Sequence, residues 1–234
     1  MPDSIRGVLF DFAGTLLAPE DELRWLRAVL ARHEIRVDDA QARELAARLT
    51  RAGRPGPVLP TAVPPEHAEL FARRDLSSDL HRAAYTQLMG AVALPPPVTV
   101  EELYERSFEP AAWVPYSDAK ATLRALHDTG VGVAVVSNVG FDLRPIFAHH
   151  RLERFVKAFV LSYEVGVDKP RPAIFELACE RLGVPPRAAL MVGDHAGADG
   201  AAVDAGIRTL LLPASPPGAE QGLSIVLSLV RSSA

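Results

Sequence analysis

The amino-acid sequence predicts an α/β protein, a doubly wound parallel sheet core interrupted by an all-helical insert. Three observations carry this. Short continuous apolar runs recur at residues 7–10 (GVLF), 131–137 (VGVAVVS), 188–193 (AALMVG) and 207–213 (IRTLLLP), with a weaker one at 155–162 (FVKAFVLS). Such runs suit parallel strands covered on both faces, where alternation would mark a half-exposed sheet. Helical patterns lie between the later runs, and alternation of strand and helix is the signature of a doubly wound sheet. Residues 20–110 show helical spacing and no strand signal at all.

The elements follow in order. GVLF ends at Asp11 and enters a turn through Ala13, Gly14 and Thr15, which reads as a buried strand feeding a functional loop. In the insert, Leu23, Leu26 and Leu30 share a helix face. Asp38 with Gln41, and Thr99 with Glu102, have capping-box spacing. The proline-rich stretches at 54–65 and 95–97 read as stiff loops between helices, with disordered linkers as the alternative. Past the insert, Ser117 is placed to cap a helix carrying Ala119, Leu123 and Leu126. Pro172 opens a helix carrying Ile174, Leu177 and Leu182 that stops near Gly183. A tail helix is expected over about 219–231, apolar at Leu223, Val226, Leu227 and Val230.

Composition narrows the function classes. At 234 residues with a formal charge of −4, the chain can bury a large core and carries no basic stripe, so nucleic acid is not an expected partner. No apolar stretch reaches the ~20 residues of a membrane span, and no leader pattern opens the chain, so a cytoplasmic location is expected. Cys179 is the one cysteine, which excludes an internal disulfide. It reads as a small core hydrophobe, with a thiol nucleophile as the alternative. Only Lys120, Lys157 and Lys169 break an otherwise arginine-only basic set.

Four segments fall at the C-terminal ends of predicted strands, the edge where open parallel sheets bind ligands. Asp11-Phe12-Ala13-Gly14-Thr15 offers a carboxylate followed by turn N–H groups, which suits nucleophilic attack or, more plainly, a capping turn. Ser137-Asn138 offers a hydroxyl and an amide for phosphate oxygens, though both are ordinary turn formers. Lys169 stands between a turn and a helix start, able to neutralise a phosphoryl group or to lie at the surface. Asp194 and Asp199 straddle a glycine-containing turn. With Asp11 they make three acids that would repel unless a hard divalent cation such as Mg²⁺ joined them; one of them could instead cap the next helix.

Taken together, the order of these segments resembles the haloacid dehalogenase superfamily, in the branch whose helical cap follows the first strand. LFDFAGTLL, VVSN, GVDKPRPAIF and MVGDHAGAD are similar to its four motifs, and the resemblance covers nearly the whole chain. It implies a Rossmann-like core of residues 1–17 plus 113–234 and a helical cap of residues 18–112. It further implies Asp11 as the nucleophile that forms an aspartyl-phosphate, and Phe12, Ala13, Gly14, Thr15, Ser137, Asn138 and Lys169 as contacts to a small phosphorylated substrate. Mg²⁺ would be held by Asp11, the Ala13 carbonyl, Asp194 and Asp199.

One position departs from the pattern. Phosphatases of this family place a second Asp two residues after the nucleophile as general acid and base, and here that residue is Ala13. Such a loss typically costs ~10²–10⁴ in rate. His195 is the leading substitute, and His33, His67, His81 and Tyr85 of the insert are further candidates. A leaving group that needs no proton would also be compatible with Ala13, as would a phospholigand-binding module with poor turnover. Phosphonoacetaldehyde hydrolases also have Ala there but need a cap lysine, and no lysine precedes Lys120. Haloacid dehalogenases need no metal and typically carry Tyr at that position, so Asp194 and Asp199 favour the metal-dependent reading, with a dehalogenase-like C–X hydrolase kept as an alternative.

Overall fold

The computed structural model describes residues 4–233. Its strands are β1 (Gly7–Phe10), β2 (Leu17–Pro19), β3 (Trp113–Pro115), β4 (Gly132–Ser137), β5 (Ala158–Leu161), β6 (Ala189–Gly193) and β7 (Arg208–Leu211). Five of them form one sheet in the order β5-β4-β1-β6-β7, with every neighbouring pair parallel. The order in which strands are added to the sheet reverses beside β1, so the switch point falls at the C-terminal end of the strand that carries Asp11.

Both faces of β1, β4, β5 and β6 are covered, as the continuous apolar runs require, while the edge strand β7 is only half-buried and leaves Leu211 exposed. In β1, Val8 and Phe10 enter one hydrophobic cluster and Leu9 enters the other. The first cluster includes residues of α6 (Ala119–Asp128), α7 (Arg144–His149) and α10 (Ser224–Ser232). The second is built on α9 (Pro172–Leu182) and the 3-10 segment Gly200–Ala205, with the single turn α8 (Ser162–Val165) at the end of β5. Cys179 sits in the second cluster, 2% exposed, and burial pushes its thiol up to about 11; it is a core residue, not a nucleophile.

The insert folds as α1 (Glu22–Arg32), α2 (Asp39–Gly53), α3 (Ala68–Ala72), α4 (Ser78–Met89) and α5 (Val100–Arg106). Its own cluster draws on Trp25, Leu49, Tyr85, Met89 and Leu103 among others, all from residues 25–108. Trp25 is fully buried, and its indole N–H donates to the Leu103 carbonyl and to Ser107 Oγ, so its polar end is satisfied. Asp38 accepts from the Gln41 N–H at 2.8 Å, and the Thr99–Glu102 capping box is present in both directions.

Residues 20–110 contain no strand, as expected; one ribbon just outside them carries no sequence signal, and two local expectations need correction. Residues 17–19 and 113–115, where the chain enters and leaves the insert, pair as an antiparallel ribbon of β2 with β3. Three-residue strands are too short to show a period. Ser117 does not cap α6; its N–H donates to the Ala219 carbonyl, and Asp118 occupies the cap position. The Asp118 carboxylate instead accepts the N–H groups of Gln221, Gly222 and Leu223 at 3.1, 2.9 and 2.7 Å. That clamp, with left-handed Gly218 and Gly222 (φ +76° and +87°), delays the tail helix to Ser224.

Candidate active site

The site is assembled from the C-terminal ends of β1, β4 and β6 and the loop before α9. The Asp11 N–H continues the ladder, donating to the Val192 carbonyl at 2.9 Å, and aims the carboxylate past the strand end. The chain then doubles back: the Leu16 and Leu17 N–H groups donate to the Phe12 carbonyl. Gly14 takes φ +85°, and a Cβ on it would stand 2.3 Å from Asp194 Oδ2, so the Asp194 carboxylate rests directly on this turn. Gln221 braces it from behind, donating to the Gly14 carbonyl at 2.7 Å.

Lys169 is the hub. It is 5% exposed, and its ammonium donates to Asp11 Oδ1 at 2.7 Å and to Asp199 Oδ1 at 2.6 Å. Asn138 grips the Lys169 backbone with both ends of its amide: Nδ2 donates to the carbonyl at 2.8 Å, and Oδ1 accepts the N–H at 2.7 Å. The other oxygen of Asp199 accepts the N–H groups of Asp194 and His195. A Cβ on Gly193 would stand 2.2 Å from Asp199, so glycine is required under that side chain.

Asp11, Asp194 and Asp199 each present an oxygen within 4.8 Å of the others. Three carboxylates against one ammonium leave two negative charges in the centre. Burial, and then Asp199, push Asp194 above the ordinary carboxylate range. Burial pushes Asp11 up to about 6, opposed by Lys169. Burial alone would lower Lys169, but Asp11 and Asp199 outweigh it and hold the ammonium above its usual range. The chemistry of this donor set, all hard oxygens with two uncompensated charges, fits one divalent cation.

A cavity of about 400 Å³ opens over this centre. Its lining contains Asp11, Phe12, Ala13, Ser137, Asn138, Lys169, Asp194, His195 and Asp199. Gly14 and Thr15 stand outside the lining; Thr15 is fully buried, and its hydroxyl has no hydrogen-bond partner among the described residues. Of the insert candidates, His81 and Tyr85 reach the lining, while His33 and His67 do not. His33 instead pairs with Glu102 at 2.6 Å.

Several further residues of the lining carry no signal in the sequence. Arg74 and Asp75, on the 3-10 turn Arg74–Leu76, approach from the insert, and Trp113 and Phe141 form an apolar wall with Phe12. The Phe12 and Trp113 rings lie 4.3 Å apart. Only the charged RRD run hints at the first pair, and a charge run reads as a solvated face until its fold is known.

Comparison with known proteins bears on the family and the fold. A model of haloacid dehalogenase-like hydrolases matches residues 5–206. Haloacid dehalogenase-like hydrolase domain-containing protein 3 of Danio rerio is 38% identical over 93 residues, 40% of this chain and 38% of that protein, so the likeness spans well under two thirds of the relative. Among solved structures, a HAD phosphatase from Thermococcus onnurineus has a TM-score of 0.62 at 26% identity, covering 97% of this chain and 98% of that one. A dehalogenase structure has a TM-score of 0.67 at 25% identity, covering 98% of each chain. The family match over residues 5–206 and the shared fold show that the chain belongs to the haloacid dehalogenase-like hydrolases.

Proposed function

We propose that this hydrolase is a Mg²⁺-dependent phosphatase acting on a small phosphate monoester or anhydride through an aspartyl-phosphate on Asp11. The observation that carries it is the Asp11–Lys169–Asp199 contact with Asp194 beside it, a centre short of two positive charges. Mg²⁺ would be held by Asp11, Asp194, Asp199 and the Ala13 carbonyl, and would supply charge stabilisation for a phosphoryl oxygen. Asp11 attacks phosphorus while Lys169 and the Ser137 hydroxyl bind its oxygens. Asn138 acts by fixing the Lys169 backbone. The helical segment 18–112 serves as the cap that closes over the cavity, excludes water and selects the substrate's organic part. The apolar side of the cavity, with Leu59, Tyr85 and Phe141, favours an uncharged or aromatic group there.

The test is a panel of phosphate esters with Mg²⁺. Wild type releases phosphate, EDTA stops it, and Asp11→Asn abolishes it; unchanged release by the variant contradicts the assignment. A second reading, a phospholigand-binding module with poor turnover, is favoured by Ala13. Tight beryllofluoride binding with no phosphate release from any ester would select that reading instead.

A further inference from the structure

Ala13 leaves the centre without the carboxyl that would exchange a proton with the leaving group, and the structure narrows what replaces it. His33 and His67 lie outside the cavity lining. His81 is neutral, its imidazole pushed down to about 3 first by burial and then by Arg74, so the imidazolium that would act as the acid is not formed at working pH. Burial pushes Tyr85 up to about 12, out of range for fast exchange with water. His195 is exposed, and its Nδ1 already accepts the Ala198 N–H at 3.0 Å.

Among the described residues, one carboxyl remains in the lining outside the metal centre. Asp75 is 8% exposed and stands on the turn between α3 and α4. This turn belongs to the helical insert but is fastened to the core. The Asp75 carbonyl accepts from Ser162 Oγ at 2.6 Å, and that hydroxyl also meets the Val139 N–H and carbonyl, two residues beyond Ser137. The Asp75 backbone is therefore held beside the end of β4, and the residue lines the same cavity as Asp11 and Lys169. Arg74 Nη2 faces it at 3.3 Å and His81 Nε2 at 3.9 Å. Tyr104 bonds the opposite nitrogen of His81 at 2.8 Å, which fixes the ring against Asp75. A Cβ on Gly140 would strike the His81 ring at 2.3 Å, so only glycine lets this ring seat on the core loop.

We propose that Asp75 is the general acid and base of the phosphatase reaction proposed above, delivered from the cap in place of the carboxyl missing at position 13. The assignment rests on that reading. In the first half-reaction Asp11 Oδ bonds to phosphorus, the bond from phosphorus to the leaving oxygen breaks, and the Asp75 carboxyl gives that oxygen its proton. In the second, water bonds to phosphorus, the bond to Asp11 breaks, and the Asp75 carboxylate takes the water proton. Inorganic phosphate departs with both side chains restored. The charges around Asp75 suit the role. Burial raises it, Arg74 lowers it, Asp168 raises it and Lys169 lowers it, with a net shift upward, so the acid holds its proton to a higher pH than a solvated Asp. His81 and Tyr85 of α4 complete its titratable surroundings.

The test compares wild type, Asp75→Asn and Asp11→Asn on an alkyl phosphate and on p-nitrophenyl phosphate. Nitrophenolate leaves without help, whereas an alkoxide needs a proton. Asp75→Asn is expected to lose ~10²–10⁴ in kcat on the alkyl ester. On the aryl ester it should retain a nitrophenolate burst and accumulate a phosphoryl adduct on Asp11, read by intact mass. Ala13→Asp in the same background should restore alkyl turnover. Wild-type kcat in Asp75→Asn, or equal loss on both esters with no adduct, overturns the assignment while the phosphatase reading stands. Activity surviving in Asp11→Asn, or a wild type silent on every ester, overturns both. If Asp75→Asn does not fold, Asp75→Glu decides. It keeps the charge and should slow alkyl turnover more than aryl; equal slowing overturns the proposal.

Discussion

At the scale of single residues, Lys169 and Gly14 show how the centre is built. Lys169 joins two carboxylates whose like charges would otherwise repel each other. Replacing it with Met leaves those acids buried without a counter-charge, and breaking a buried pair costs about 3–5 kcal/mol. Urea unfolding of metal-free Lys169→Met at pH 7 should show a loss of that order, and a loss under about 1 kcal/mol would contradict the role. The sign with pH is set by the raised ammonium: its stabilisation is fully present below the ordinary lysine value of 10.5 and fades as pH climbs through the higher folded value. Gly14 is needed twice, for φ +85° and for the carboxylate resting on it. Gly14→Ala should displace Asp194 and weaken Mg²⁺ binding at least tenfold by calorimetry; unchanged affinity would mean that Asp194 contributes nothing to the cation.

At the scale of elements, α4 ties the insert to the core. His81 bonds Tyr104 of α5 and abuts Gly140 of the loop after β4. The folded state keeps this imidazole neutral down to about 3, while the unfolded chain takes up a proton near 6.5. Below 6.5 the unfolded state therefore binds one proton more, and stability falls as pH falls, by up to about 1.4 kcal/mol per pH unit. His81→Gln should flatten the stability profile between about pH 6.5 and 4.5 by about that slope, measured by urea titration at each pH; an unaltered slope would mean that the ring is solvated. The elements also show what local pattern conveys. Buried parallel strands and helix N-caps are readable because each depends on neighbours in sequence. The β2–β3 ribbon and the Asp118 clamp are not, since one is too short for a period and the other pairs residues 103–105 positions apart.

Across the whole molecule the same division holds for the site. Asp11, Ser137 and Asp194 stand out because a parallel sheet delivers strand ends to one edge, whereas Lys169, on the loop before α9 and not at a strand end, and Asp199, past the turn after β6, stand out by their motifs. Asn138 is expected at substrate from its motif, yet its amide is spent on the Lys169 backbone. Arg74 and Asp75 stay hidden because their place depends on how the insert lies on the core, which no local pattern encodes. The central claim is that a divalent cation and a phosphoryl group meet at Asp11. The most direct measurement is ¹⁹F NMR of beryllofluoride, an aspartyl-phosphate mimic, added to the protein with and without Mg²⁺. One set of bound resonances is predicted that requires Mg²⁺, disappears in Asp11→Asn and weakens in Asp194→Asn. No bound signal in wild type, or one that persists in Asp11→Asn, would contradict the claim.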